Sequence, residues 1–394
     1  MIEISRRGWL AGTSVGVAAV VGGLAWRAVD QGLFTSAETR PGFEPWRDVA
    51  RGRYHGPLAL AAAGVLAASP HNTQPWLFHV GRDQIDVHLV LNRNLGAFDP
   101  YRREMATALG CAVENMVQAA AGQNLLATVM PVTGEETRVA RVALSPRTGQ
   151  VAPLAAAIVR RHTNRHPYES DRAVPPSLLD KLQALATDPT VRLMLMSRGS
   201  DNYRRFGDET IAATETIIVD AAMSEASHRW TRSSRADVDR ERSGLTLAGA
   251  GLDRLTETIG ALLPPVDAQA EGHYWLDLTR KTAVPTAAVF GLLLVRDPYD
   301  RAQSLTAGRL WQRLHLAGTL LGLGMQPLNQ IPEVIDRERD LGRPAAIAAR
   351  IASLIVDRAW HPTFGFRLGY PTRSAAASPR RALAAAIAVS PPYK

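Results

Sequence analysis

Two short polar segments, Ser69-Pro70-His71-Asn72-Thr73-Gln74-Pro75-Trp76 and Arg160-Arg161-His162-Thr163-Asn164-Arg165, constrain this chain more than any other feature. Each alternates its chemistry. In an extended backbone successive side chains point to opposite faces, so Arg161, Thr163 and Arg165 share one side and offer two guanidinium groups and a hydroxyl to a single anion. Arginine forks suit a phosphate dianion because they bind it bidentately, in charge-assisted bonds roughly twice as strong as neutral ones. Asn72 and Gln74 share a side in the same way, and Pro75-Trp76 sends the chain from the turn into a strand. Read alone, each segment has an ordinary alternative: a solvated arginine-rich turn, and a turn followed by a core tryptophan.

The chain has 394 residues, enough for one large or two ordinary domains, and 46% of them are hydrophobic, ample for a buried core. The formal net charge is +8. Its arginines are interspersed with carboxylates, and no basic stretch is interleaved with aromatics, so the charge argues for solubility and a few phosphate-directed arginines rather than nucleic-acid binding. The single cysteine, Cys111, excludes an intrachain disulfide and a cysteine-based metal cluster, and it sits in an apolar helical pattern as a small hydrophobe. His71 and His79 have no partner at metal-ligand spacing, so no metal site is expected.

Ser5-Arg6-Arg7-Gly8-Trp9-Leu10 has the twin-arginine export pattern and runs into an uncharged, small-residue stretch over 11–26. Residues 1–40 are therefore expected to be a targeting segment, read by the twin-arginine export machinery and leading to a periplasmic or other extracytoplasmic location. The stretch 9–26 also approaches the roughly 17 to 25 residues that span a bilayer. No small-x-small cleavage site follows, because bulky Trp26 lies two positions before Ala28, which leaves an uncleaved membrane anchor as an alternative.

Beyond that segment, 58–68 reads as an Ala-rich helix stopped at Ser69-Pro70. Residues 76–80 and 85–91 read as a hairpin around Gly81-Arg82-Asp83. Met105, Leu109, Ala112, Val113, Met116 and Ala120 recur at helical spacing, and strands follow over 127–130 and 138–144. A second set begins with helices over 151–161 and 177–186 and a strand over 191–196. It continues with an apolar strand over 286–295, a helix over 305–323 and a last strand over 351–356. Helix, glycine-rich break and strand thus occur twice, a faint internal duplication that divides the chain into 41–150 and 151–394. The polar, helical stretch 201–265 carries Gly244, Gly249 and Gly251 beside apolar residues, which suits either a lid over a pocket or a surface helical hairpin. Tyr101-Arg102-Arg103-Glu104 reads as capping and surface pairing at the start of the first long helix, and His162 as part of the basic turn rather than a base.

Taken together, the two polar segments resemble those of the nitroreductase superfamily, over most of 58–381. In that family a Ser-x-x-Asn-x-Gln-Pro-Trp type segment touches the flavin from one subunit, and an Arg-x-Ser/Thr-x-Lys/Arg segment holds its phosphate from the other. The resemblance implies FMN bound by Ser69, Pro70, Asn72 and Gln74 together with Arg161, Thr163 and Arg165. It further places Leu328, Asn329 and Gln330 in a loop facing the ring near N5, and Arg380 and Arg381 in the C-terminal part of the phosphate clamp. Family members usually have Gly-Phe or Glu-Gly where this chain has Asn329-Gln330. The basic segment precedes the Asn-x-Gln-Pro-Trp segment in ordinary homodimeric members; here the order is reversed, and each half lacks the segment that the other carries. That layout is similar to the fused, Acg-like branch. It implies an α+β fold of two nitroreductase-like repeats forming an intrachain pseudo-dimer, a monomer with one FMN per chain at the repeat interface. The implied function is an FMN-dependent oxidoreductase with NAD(P)H as donor and a small-molecule acceptor such as a nitro compound or quinone. Because the flavin carries the redox chemistry, no catalytic side chain is required. The alternative is a lidded protein that sequesters FMN without turnover.

Overall fold

A computed structural model describes residues 39–149, 152–252, 256, 260 and 264–389. The twin-arginine pattern and the apolar stretch after it lie outside the described residues. Among the described residues no helix is long and apolar enough to cross a membrane.

The fold is α+β, as expected, with helices packed between and around two mainly antiparallel sheets. The strands, in chain order, are β1 (Trp76–Val80), β2 (Gln84–Leu89), β3 (Leu125–Pro131), β4 (Arg138–Pro146) and β5 (Val191–Ser197). Then come the two-residue β6 (Thr231–Arg232) and β7 (Leu245–Thr246), followed by β8 (Val289–Val295), β9 (Gly324–Pro327), β10 (His361–Gly369) and β11 (Ile387–Val389). The first sheet has the order β11-β1-β2-β4-β3, and the second β5-β8-β10-β9. Because β11 pairs in parallel with β1, the C-terminal part of the chain completes the sheet of the first half and brings the basic loop before it beside the Ser69–Trp76 turn.

Burial follows the sequence periods. β1 and β2 bury alternate residues, the mark of a sheet with one packed face. β8 is a continuous apolar run buried at every position, because it is a central strand covered on both faces. The two long helices, Arg103–Ala120 and Arg301–Leu320, cross at the middle of the molecule. A side chain at Gly110 would stand 2.1 Å from the Leu305 carbonyl oxygen, and one at Gly308 would stand 1.9 Å from the Thr107 oxygen. Reciprocal glycines are what allow these backbones to touch.

Several sequence expectations shift. Over 151–161 the described residues form only a short 3-10 turn, Ala155–Ala157, between irregular segments, and no helix. The apolar stretch 351–356 is not a strand: the helix Ala346–Ile351 ends there, and Val356 is 96% exposed. Its short apolar run carries no period long enough to separate strand from helix. The second sheet is instead closed by β10 and β9.

Within the polar stretch, the helix Asp201–Val219 belongs to the core, with Phe206, Ala213 and Ile217 packed among Phe290, Leu292 and Leu294 of β8. The elements after it, from Ala221–His228 through β6 and β7 to Ala268–Leu278, form one wall of a large cavity.

Candidate functional site

The cavity measures about 1090 Å³ and lies between the two long helices, the Ser69–Asn72 turn, the 161–165 turn, the β9 exit and the covering elements. Nine of the twelve sequence-derived site residues line it: Ser69, Pro70, Asn72, Arg161, Thr163, Arg165, Asn329, Gln330 and Arg380. Residues from four distant parts of the chain therefore meet. The remaining three, Gln74, Leu328 and Arg381, do not line the cavity and serve its frame.

The frame begins with an unusual turn. His71, Asn72 and Gln74 all have positive φ, at 43°, 54° and 51°. Left-handed backbone costs an ordinary residue on the order of 1 kcal/mol or more, so such a run persists only where surrounding contacts fix it. Those contacts are present. The Asn72 amide donates to the Pro379 and Gly244 carbonyls at 2.9 and 3.2 Å, and its Oδ1 accepts from Arg380 at 2.6 Å. Gln74 turns away from the cavity: its amide donates to the Arg242 carbonyl at 2.8 Å, and its Oε1 accepts the Arg381 backbone N–H at 2.8 Å. Arg381 in turn donates to the Gln74 and Trp76 carbonyls. Leu328 donates its backbone N–H to Gly365 and buries its side chain in the second core.

One end of the cavity is cationic. Arg161 and Arg380 are 1% and 3% exposed, and neither they nor Arg165 form an ion pair with a carboxylate among the described residues. Arg161 donates to the Leu66 carbonyl at 2.9 Å, and Arg380 donates to the Leu66 and Ala67 carbonyls at 3.4 and 3.2 Å, so both guanidinium groups gather at the C-terminal, partly negative end of the helix Pro57–Val65. Arg165 donates to the Gly249 carbonyl of the covering segment. Nε of Arg161, Nε of Arg380 and Nδ1 of His162 are buried without a partner. Burial pulls the pKa of Arg161 down to about 10, and burial followed by repulsion from Arg161 lowers that of Arg380. His162 packs its ring edge against Trp46, and burial with the adjacent arginines takes its pKa to about 3. His71 contacts Ser227 of the covering segment at 2.8 Å and is held to about 4 by burial and by Arg165. Both imidazoles are thus neutral at neutral pH, and neither adds to the positive charge.

The other end is acidic, and the sequence reading missed it. Arg103 and Glu104 are not surface residues: they are 2% and 3% exposed. Asp99 Oδ1 and Oδ2 accept the Glu104 and Met105 backbone N–H groups, both at 3.0 Å, and so cap the first long helix. Arg103 donates to Asp336 at 2.8 Å and to the Thr363 carbonyl at 2.6 Å. That anchor faces Glu104 into the cavity, where Asn329 donates to its Oε1 at 2.9 Å while accepting the Gly365 N–H at 3.0 Å. Glu333, 5% exposed, lines the cavity beside it. The only signal in the sequence was a charged pair opening an otherwise apolar helix, which reads first as capping.

Between these ends the wall is apolar, with Ala108, Cys111, Trp311 and Phe364 among its residues. The Cys111 thiol is buried and its pKa is pushed up to about 12 by that burial, so it is an inert wall group. Among the described residues no group of three or more His, Cys, Asp or Glu side chains is arranged to hold a metal ion.

No family model matches the chain. Two Mycobacterium tuberculosis proteins, from strains CDC 1551 and H37Rv and provisionally named NAD(P)H nitroreductases, are each 27% identical over 298 residues, which span 72% of this chain and 79% of theirs. Among solved structures, the FMN-dependent nitroreductase NfnB of Mycobacterium smegmatis in complex with NADPH is 16% identical with a TM-score of 0.39, covering 61% of this chain and 100% of that one. A Bacteroides fragilis nitroreductase with bound FMN is 13% identical with a TM-score of 0.36, again over 61% and 100%. The chain is thus similar in sequence, over most of its length, to two proteins that carry the nitroreductase name.

Proposed function

We propose that this chain is an FMN-dependent oxidoreductase of nitroreductase type, with one FMN per chain in the cavity between two fused, pseudo-dimeric repeats of the Acg-like kind. The observation that carries this reading is the cationic end: Arg161, Arg165 and Arg380 converge without a carboxylate partner among the described residues, and two of them keep an unused buried Nε. Buried cations left uncompensated cost several kcal/mol. A phosphate dianion supplies the missing charge and acceptors. Arg161, Thr163, Arg165 and Arg380 would hold the phosphate, and the apolar wall of Ala108, Cys111, Trp311 and Phe364 suits a flat aromatic ring. Ligand sites commonly enclose about 300 to 1,000 Å³. At about 1090 Å³ this one has room for a second small molecule beside a flavin.

When bound, the flavin would take hydride from a reduced nicotinamide and pass electrons to a nitro, quinone or similar acceptor. The mycobacterial relatives' name supports NAD(P)H as the donor. The twin-arginine pattern supports export of the folded protein. Outside the cytoplasm NAD(P)H is scarce, so an exported form would draw on a membrane or partner electron source.

A second reading, sequestration of FMN without turnover, is favoured by the extent of the covering elements, which contribute cavity residues from Ser224 to Leu278. Absorbance of the purified protein with and without NADPH separates the two. A yellow protein that bleaches supports the oxidoreductase; one that stays yellow supports sequestration; absence of FMN binding overturns both. Titration to two flavins per chain would overturn the fused-repeat arrangement.

A further inference from the structure

The acidic end of the cavity holds more carboxyl groups than it has cations. Asp99, Glu104, Glu333 and Asp336 surround a single buried guanidinium, Arg103. Asp336 takes its direct ion pair at 2.8 Å and also accepts from the Tyr299 hydroxyl at 3.1 Å. Asp99 is occupied by two backbone N–H groups. Glu104 lies at 3.6 Å from Arg103, and Glu333 has no cation of its own among the described residues. From β10 the neighbouring groups are the uncharged Thr363 carbonyl and Gly365 N–H, and Arg339 stands outside this cluster over the Tyr299 ring. Glu104 and Glu333 are both buried and line the same stretch of the cavity wall, near enough for their carboxyl groups to interact directly. A carboxyl can bond to a carboxyl only through a proton, and two carboxylates in such contact cannot both ionise.

A second, independent feature lies on the same wall. Gln330, 2% exposed and lining the cavity, buries its Oε1 with no donor. An unused buried acceptor of this kind calls for an N–H or O–H group from a ligand.

We propose that Glu104 and Glu333 share one proton and deliver it to the oxygen of the acceptor substrate, a quinone or nitro compound that the Gln330 carbonyl helps to orient through a donor group. This proposal rests on the oxidoreductase reading. A quinone becoming a hydroquinone gains two electrons and two protons. Two electrons and one proton arrive as a hydride equivalent from the reduced flavin, and the second proton comes from the pair. The carboxyl O–H bond breaks as the substrate O–H bond forms. The pair is left as two carboxylates near Arg103, and a proton from water restores it.

Burial, with Arg103 opposing it, pushes Glu104 up to about 7, and burial together with the neighbouring Glu104 raises Glu333 well above the usual carboxylate range. Both directions keep a proton available at neutral pH, where an ordinary surface glutamate has lost it.

The experiment compares wild type, Glu333→Gln and Glu104→Gln in two measurements. Infrared spectra of the protein at neutral pH, without flavin or acceptor, are expected to contain a protonated-carboxyl C=O band that either substitution removes. Reduction of a soluble quinone by the FMN-loaded protein is expected to fall on the order of a hundredfold in Glu333→Gln and to lose its alkaline decline, with FMN affinity within about twofold of wild type. A band unchanged in both variants would overturn the shared proton. An unaltered pH profile, or an equal loss of FMN binding, would overturn proton delivery. Failure of the wild type to bind FMN, with the band present and sensitive to substitution, would sink the oxidoreductase reading and delivery while the proton-holding pair stands.

Discussion

The two ends of the cavity solve opposite electrostatic problems in the same enclosed space. At one end Arg161, Arg165 and Arg380 accumulate positive charge, offset among the described residues by carbonyl oxygens, the His315 ring and the end of a short helix. At the other, four carboxyl groups crowd one arginine, and protons reduce the excess negative charge. Neither end is built mainly for stability, because burying like charges together costs free energy that hydrophobic packing would avoid. The difference lies in what completes each end. The cationic end needs an anion from outside, whereas the acidic end takes protons from water and can give them up again.

The largest effect that tests this contrast is on anion binding. Replacing Arg161 and Arg380 together by alanine is expected to weaken FMN by roughly 3 kcal/mol or more, on the order of a hundredfold, since each lost charge-assisted bond contributes about 1.5 to 3 kcal/mol. Riboflavin, which has no phosphate, should bind the variant as it binds wild type. Fluorescence titration of both ligands checks this. Equal losses would move these arginines off the phosphate and leave them as caps of the helix Pro57–Val65.

Linkage gives the next effect. FMN at a hundredfold excess over its dissociation constant should stabilise the fold by about 2.7 kcal/mol, visible as a rise in Tm. The double arginine variant should lose the part of that rise that exceeds riboflavin's, and Glu333→Gln should keep it.

Gln74→Ala sharpens the distinction between lining a site and framing it. Loss of its bonds to Arg242 and Arg381 is expected to lower stability by about 1 to 2 kcal/mol, measured by urea unfolding. FMN and riboflavin should then weaken equally. A loss confined to FMN would place Gln74 at the phosphate after all.

The smallest effect separates the ends by pH. The folded chain holds protons on the Glu104–Glu333 pair that the unfolded chain releases near 4.5; stability from the acidic end is full below about 4.5 and fades as pH rises to about 7. His71 at the cationic end has the opposite sign. Its folded pKa of about 4 lies below its ordinary 6.5, so its contribution is full above about 6.5 and fades as pH falls towards 4. Unfolding free energies across this range should show Glu333→Gln losing less stability than wild type as pH rises, with the acid side unchanged. A parallel shift of the whole curve would mean that Glu333 holds no extra proton in the fold.

The cationic end was legible because its signal is local. Arg161, Thr163 and Arg165 sit at alternate positions in one turn, and Asn72 and Gln74 in another, so spacing alone suggested shared faces. The same rule misplaced Gln74, because positive φ at Asn72 and Gln74 breaks the alternation that extended backbone would impose. Leu328 and Arg381 neighbour cavity-lining residues in sequence, yet their side chains turn to the core and to strand-end carbonyls. Glu104 was hidden for a different reason. A charged residue at a helix start has a sufficient local explanation, and only the partner that buries it, Asp336 through Arg103, reveals another role.

By itself the sequence determined the class of fold, most of its strands and long helices, and the segments that meet at the cationic end. Those are set by hydrophobic period and by residue chemistry at short spacing, which travel with the chain. Tertiary structure alone decided the rest. It let Gly110 and Gly308 bring two long helices into backbone contact, returned the C-terminal strand to the first sheet so that Arg380 reaches Asn72, and pressed Glu104 against Glu333 in a space too poor in cations to ionise both. The charge state of a buried group depends on neighbours that are distant in sequence and on the water that packing removes, and neither is written in its local context.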